Sequence, residues 1–176
     1  MILTELPLAG AWLIEPEPHR DERGFFARIW DAKVAAERGL ASQFVQASIS
    51  WNPRAGTLRG MHWQVAPHEE VKLVRVTAGA IHDVVIDLRR GSPTFGEHVG
   101  VRLDVRNRHA LYVPEGFAHG FLTLADDSEV TYQMSAPYVP AAARGLRFDD
   151  PRFGIVWPAA VRVISPRDAA YPDFTG

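Results

Sequence analysis

The sequence contains no cysteine. Disulfides, thiolate nucleophiles and cysteine-ligated zinc are therefore excluded. No run of apolar residues approaches the length of a membrane span. The opening stretch MILTELPLAG has no basic segment ahead of an apolar one, so it does not read as a signal peptide. A cytoplasmic protein with no membrane partner is expected. Charge of one sign is scarce too. Nineteen Lys and Arg stand against 21 Asp and Glu, a net of -2. That balance gives no bulk attraction to nucleic acid or to an anionic membrane, although a local arginine cluster can still hold a small anion. There is no low-complexity segment and no internal repeat. Glycine and proline are scattered as turn punctuation rather than gathered into a linker. One domain over residues 1–176 is expected, and with 47% of its residues apolar it can bury a sizeable core.

What is present reads mostly as short strands. Lys72 to Thr77, Ile81 to Leu88 and Val99 to Val105 carry β-branched residues or strict alternation. Ala110 to Val113, Gly120 to Leu124 and Glu129 to Met134 extend the series. Ala78-Gly79, Arg90-Gly91-Ser92-Pro93, Pro114-Glu115-Gly116 and Asp126-Asp127 supply turn chemistry between them. One helix is expected, with Asp31 capping Ala32 to Arg38 and Gly39 ending it. Strands at this spacing predict an all-β sandwich or barrel, with a jelly roll leading. The proline-rich segment from Ala141 onward is expected to wrap over the outside.

Two segments stand out chemically. One is Thr57-Leu58-Arg59-Gly60-Met61-His62-Trp63-Gln64, followed by Lys72. The other is Pro114-Glu115-Gly116-Phe117-Ala118-His119-Gly120-Phe121. Pro-x-Gly-x-x-His places a histidine as the chain enters a strand, where it can point into a barrel. His62, His119, Arg59 and Lys72 converging in a barrel mouth would make a site. His19, His68, His82, His98 and His109 read as structural or surface residues. Gln64 is a poor ligand for a transition metal, and Lys72 would put a cation beside one, although Glu69 or Glu70 offers a carboxylate. No metal or other cofactor is expected.

The ordered motifs resemble the dTDP-4-dehydrorhamnose 3,5-epimerase family nearly end to end. They begin with Asp21-Glu22-Arg23-Gly24-Phe25-Phe26, then Phe44-Val45-Gln46, Ser50 and Arg59-Gly60-Met61-His62-Trp63-Gln64. Lys72-Leu73-Val74, Asp87-Leu88-Arg89, Ser92-Pro93-Thr94-Phe95-Gly96 and the Pro114–Phe121 segment follow in order. Tyr132, Tyr138, Asp149-Asp150-Pro151, Trp157-Pro158 and Ser165-Pro166-Arg167-Asp168 complete the set. The resemblance implies a cupin-type jelly-roll β-barrel with a short N-terminal helix and an extended C-terminal segment. It implies a homodimer and a nucleoside-diphosphate 4-keto-6-deoxyhexose as substrate. His62 would be the general base, Asp168 its orienting carboxylate, Tyr132 the acid on the opposite sugar face, and Lys72 the cation beside the enolate. Arg59 and His119 would hold the sugar or its diphosphate. Gln46, Ser48, Tyr138 and Arg167 would complete substrate binding, with Arg23 and Phe26 donated across the dimer.

The residue types suit the chemistry. A ketone acidifies the hydrogens on its neighbouring carbons, so epimerisation can proceed through an enolate. An imidazole titrates near neutral pH, and a carboxylate on its other nitrogen fixes the tautomer. A fixed cation stabilises the charge developing on the enolate oxygen. Three departures from the family pattern stand out. Ser48 replaces an asparagine, Arg28 stands near a usual glutamate, and Ala141 replaces a glutamate. They imply retained proton chemistry with an altered ligand. A nucleotide-sugar ketoisomerase of the same fold, and a metal-binding or non-catalytic sugar cupin, remain as alternatives.

Overall fold

The computed structural model describes residues 1–176. Four short strands open the chain: β1 (Ile2–Glu5), β2 (Trp12–Glu15), β3 (His19–Asp21) and β4 (Gly24–Phe26). Helix α1 (Ala32–Glu37) follows. The body comprises β5 (Gln46–Asn52), β6 (Thr57–Gln64), β7 (Lys72–Ala78), β8 (Ala80–Asp87), β9 (His98–Asp104), β10 (Ala110–Val113), β11 (Phe117–Thr123) and β12 (Ser128–Met134). The C-terminal part adds β13 (Ala143–Gly145), β14 (Val163–Ile164) and the one-turn helix α2 (Pro166–Ala169).

Two sheets face each other as a cupin-type jelly roll. The first runs β1-β2-β10-β7-β12-β5, the second β13-β6-β11-β8-β9 with β14 on β6. Every strand pair in them is antiparallel except β14 on β6. From β5 to β8 and from β9 to β13 sequential strands alternate between the sheets, whereas β1–β2 and β8–β9 pair within one sheet, so the residues of β5 and β6, adjacent in sequence, line opposite walls.

Pleating sorts the side chains into three apolar layers. Val74, Val76, Leu111 and Val130 of the first sheet meet Ile81, Val85, Leu103 and Phe121 of the second. Each such side chain, fully buried, contributes about 2 kcal/mol of transfer free energy. On the outer face of the second sheet, Met61, Val84, Ile86 and Ala118 pack against Leu146 and Phe153 of the C-terminal segment. On the outer face of the first, Leu73, Ala110 and Tyr112 pack against Trp30, Leu40 and Phe44 around α1.

The helix matches its expectation. The Asp31 side chain accepts hydrogen bonds from the Lys33 and Val34 amides, and Gly39 follows at φ +71°. The six expected strands all form, within a few residues at their ends. The C-terminal segment differs from expectation. It does cover the second sheet, but it also adds β13 and β14 to it. Parallel pairing of Val163 and Ile164 with Thr57 and Leu58 brings the chain back beside β6 and sets α2 at the cavity.

Candidate active site

A cavity of about 920 Å³ opens between the sheets at one end of the jelly roll. Strands β5, β7 and β12 form one wall, and β6, β11, β13 and β14 form the other, with α2 at the edge.

Strand β6 departs from regular pleating here. Arg59 and His62 lie three residues apart yet both line the cavity. Across the ladder, His62 pairs with His119 and Arg59 with Phe121, so three steps of β6 oppose two of β11. This bulge re-aims the side chains on either side of it. Gly60 sits at its centre with φ +137°, and a Cβ there would lie 2.5 Å from the Gly120 Cα. Only glycine on both strands permits that approach.

His62 Nε2 lies 2.8 Å from Asp168 Oδ1. The other oxygen of Asp168 accepts the Gly60 amide at 3.3 Å. Ser165 caps α2, its hydroxyl accepting from the Asp168 amide at 3.0 Å, which fixes the carboxylate's approach. Asp168 is only 5% exposed, in a short helix rather than the solvated loop its position suggests. Burial alone would raise its pKa. The hydrogen bond and charge of the His62 ring, with the Gly60 amide, outweigh burial and hold it below the usual carboxylate value. Asp168 is thus ionised at neutral pH, and its use of Nε2 leaves Nδ1 of His62 as the free ring nitrogen.

Tyr132 projects from β12, on the facing sheet, into the same cavity. Its hydroxyl is 3.1 Å from Ser50 Oγ on the neighbouring strand. Burial pushes that hydroxyl well above the ordinary tyrosine range, so it stays protonated across the physiological range. Lys72 enters from the start of β7. Its Nζ is 3.3 Å from Glu70 Oε1 and 3.5 Å from the His62 carbonyl. His119 is 5% exposed, its Nε2 2.6 Å from Asp83 Oδ1. Arg59 reaches across to β5, donating to Asn52 Oδ1 at 2.7 Å.

Ten of the twelve residues expected at the site line this cavity: Gln46, Ser48, Arg59, His62, Lys72, His119, Tyr132, Tyr138, Arg167 and Asp168. Gln46 and Tyr138 also meet at the rim, where the Gln46 side chain accepts the Tyr138 amide at 2.9 Å. Arg23 and Phe26 do not join them. They sit on the β3–β4 ribbon, where Arg23 pairs with Asp21 and Phe26 is 71% exposed. Of the three departures, Ser48 lines the cavity. Arg28 instead pairs with Asp31 at the α1 cap, and Ala141 offers its carbonyl to Arg144.

The sequence offered Glu70 only as a possible metal carboxylate, and Asp83 and Asn52 not at all, whereas all three belong to this constellation. Asp83 had a signal, since a carboxylate inside the apolar run Ile81 to Leu88 faces a buried environment and needs a partner. Asn52 had none, because its bonds to Arg59 and Ser128 form only in the folded chain.

Comparison with known proteins agrees with this architecture. The dTDP-4-dehydrorhamnose 3,5-epimerase family matches residues 5–176. The Sinorhizobium fredii dTDP-4-dehydrorhamnose 3,5-epimerase is 42% identical over 177 residues, covering 98% of this chain and 89% of that protein. The dTDP-4-dehydrorhamnose 3,5-epimerase of Elizabethkingia anophelis superposes with a TM-score of 0.96 at 36% identity, covering 99% of this chain and 96% of that one. The dTDP-6-deoxy-D-glucose-3,5-epimerase of Legionella pneumophila, solved in complex with dTDP-4-keto-L-rhamnose, superposes with a TM-score of 0.90 at 38% identity, covering 98% and 92% of the two chains. Fold and likeness together define an isomerase of the cupin class. Within that class, the chain belongs to the dTDP-4-dehydrorhamnose 3,5-epimerase family.

Proposed function

We propose that this isomerase inverts C3 and C5 of a dTDP-linked 4-keto-6-deoxyhexose by proton transfer between two groups on facing sheets. The observation that carries the reading is the shared cavity. The imidazole of His62, backed by the buried Asp168 carboxylate, stands on one wall, and the Tyr132 phenol stands on the other. A keto-sugar held between two walls loses a proton to one, becomes a planar enolate, and gains a proton from the other, and that is inversion.

His62 Nδ1 removes the proton next to the ketone. Asp168 stabilises the imidazolium that forms, without itself taking the proton. The electron pair moves onto the ketone oxygen, where the Lys72 ammonium meets the new charge. Tyr132 then protonates the carbanion carbon from the other face. Arg59 and His119 hold the sugar diphosphate, with Gln46, Ser48, Tyr138 and Arg167 around the nucleotide. No residue in this sequence of steps changes oxidation state.

The protein is a homodimer in this reading. A second, largely apolar cavity of about 910 Å³ lies on the outer face of the first sheet, beside the exposed Ile29, Ile49 and Val105. Such a surface calls for cover. A second copy laid there brings the β3–β4 ribbon, with Arg23 and Phe26, toward the neighbouring active-site cavity. Light scattering at micromolar concentration is expected to give twice the chain mass. A monomer at that concentration would remove Arg23 and Phe26 from the site.

Incubation with dTDP-4-keto-6-deoxyglucose, followed by ¹³C NMR, tests the reaction class. The expected product keeps its carbonyl at C4 and shows inverted C3 and C5. A carbonyl that migrates to C3 would make the protein a ketoisomerase. Binding without turnover would make it a sugar-binding module.

A further inference from the structure

The end of β6 leaves the buried Gln64 without a role in this chemistry. Gln64 is 3% exposed and uses both ends of its amide. Its oxygen accepts the Val139 amide at 2.6 Å. Its nitrogen donates to the His68 carbonyl at 2.9 Å, the Pro137 carbonyl at 3.2 Å and Glu70 Oε2 at 3.2 Å. Glu70 in turn presents Oε1 to Lys72 Nζ at 3.3 Å. The side chains of Glu70 and Lys72 are only 9% and 13% exposed. A buried carboxylate is costly unless paired, so its presence here requires an explanation in its charge or its geometry.

We propose that Glu70, clamped by Gln64, is the positioning residue for Lys72. The inference deepens the proposed reaction and rests on the role given there to Lys72. Lysine is a flexible four-carbon stem carrying a point charge, and it holds no fixed place by itself. Its remaining contact, with the His62 carbonyl, is long at 3.5 Å. The carboxylate supplies the second fixed point, and Gln64 ties that carboxylate to β6, the strand that carries His62. The base and the cation are thereby indexed to one strand, although they stand on different sheets. A cation placed in advance stabilises the enolate without reorganising during the reaction.

A double-mutant cycle tests this. Glu70→Gln preserves size and one acceptor oxygen but removes the charge, and its amide nitrogen cannot accept, so only one of Gln64 and Lys72 keeps its bond. It is expected to lower kcat about 10-fold with KM nearly unchanged, an effect confined to the transition state. Lys72→Met is expected to lower kcat by about 10²-fold or more. In the Lys72→Met background, Glu70→Gln should add no further loss, because the group it acts through is gone. Glu70→Asp, which keeps the charge, should restore most of the activity that Gln loses. It also serves as the folded comparison if Gln proves unstable. Losses that multiply in the double variant, or a Glu70→Asp enzyme no better than Glu70→Gln, would overturn the proposal. If Lys72→Met leaves kcat intact, the failure belongs to the role of Lys72 in the reaction, and the proposal falls with it.

Discussion

Replacing His62 by glutamine is expected to lower turnover by about 10³- to 10⁴-fold, near the upper range for a general base. The loss should fall on exchange at C3 and C5 alike, since in the proposed mechanism one imidazole serves both carbons in turn. Glutamine is chosen because its amide can still donate to Asp168, whose buried carboxylate would otherwise lose a partner at a cost of roughly 1–3 kcal/mol. The His62 side chain is 38% exposed, so little packing is lost. The melting temperature should stay close to the parent's while activity disappears. Deuterium exchange followed by NMR, alongside a thermal melt, checks both halves. A His62→Gln protein that still exchanges at either carbon at near-parent rate would remove the assigned base.

Replacing Tyr132 by phenylalanine is expected to separate two events that the parent enzyme couples. Proton removal by His62 should continue, so the recovered substrate should slowly take up deuterium from D2O. Inversion should fall by about 10²- to 10³-fold, because no group remains on the opposite wall to deliver a proton. The variant should fold. It loses one hydrogen bond to Ser50, worth about 1 kcal/mol, and keeps the ring that packs against the core between the sheets. Exchange without inversion is the signature. Undiminished inversion would make Tyr132 a sheet residue with no part in the chemistry.

Much of this molecule is legible in the sequence, for identifiable reasons. Strands such as Val99 to Val105 alternate because one face is buried and the other is not, and that pattern survives in the linear chain. The Asp31 cap and Gly39 stop are local chemistry and read equally well. The opening strands were not legible. β1 and β3 are short, mostly exposed edge elements that bury too little to impose a pattern. Strand β6 hides behind its own bulge, because Gly60 breaks the period that would announce it. The role of the C-terminal segment was also masked. Its prolines suggest a coil, whereas β14 finds its partner more than 100 residues upstream and carries Asp168 with it. At the site, residue types and order identified the ten cavity residues through family resemblance. The Asp83–His119 and Asn52–Arg59 contacts form only in the folded chain, and Glu70, although two residues from Lys72, gains its Gln64 partner only there.

In the proposed mechanism, two groups on facing sheets act on opposite faces of the sugar. The most direct test is the fate of solvent deuterium at early conversion by the parent enzyme in D2O. The expected result is deuterium at each inverted carbon of the product, while unreacted substrate remains largely unlabelled. Product that keeps the substrate's own hydrogen at those carbons would mean a single group carries the proton across, and would contradict the account.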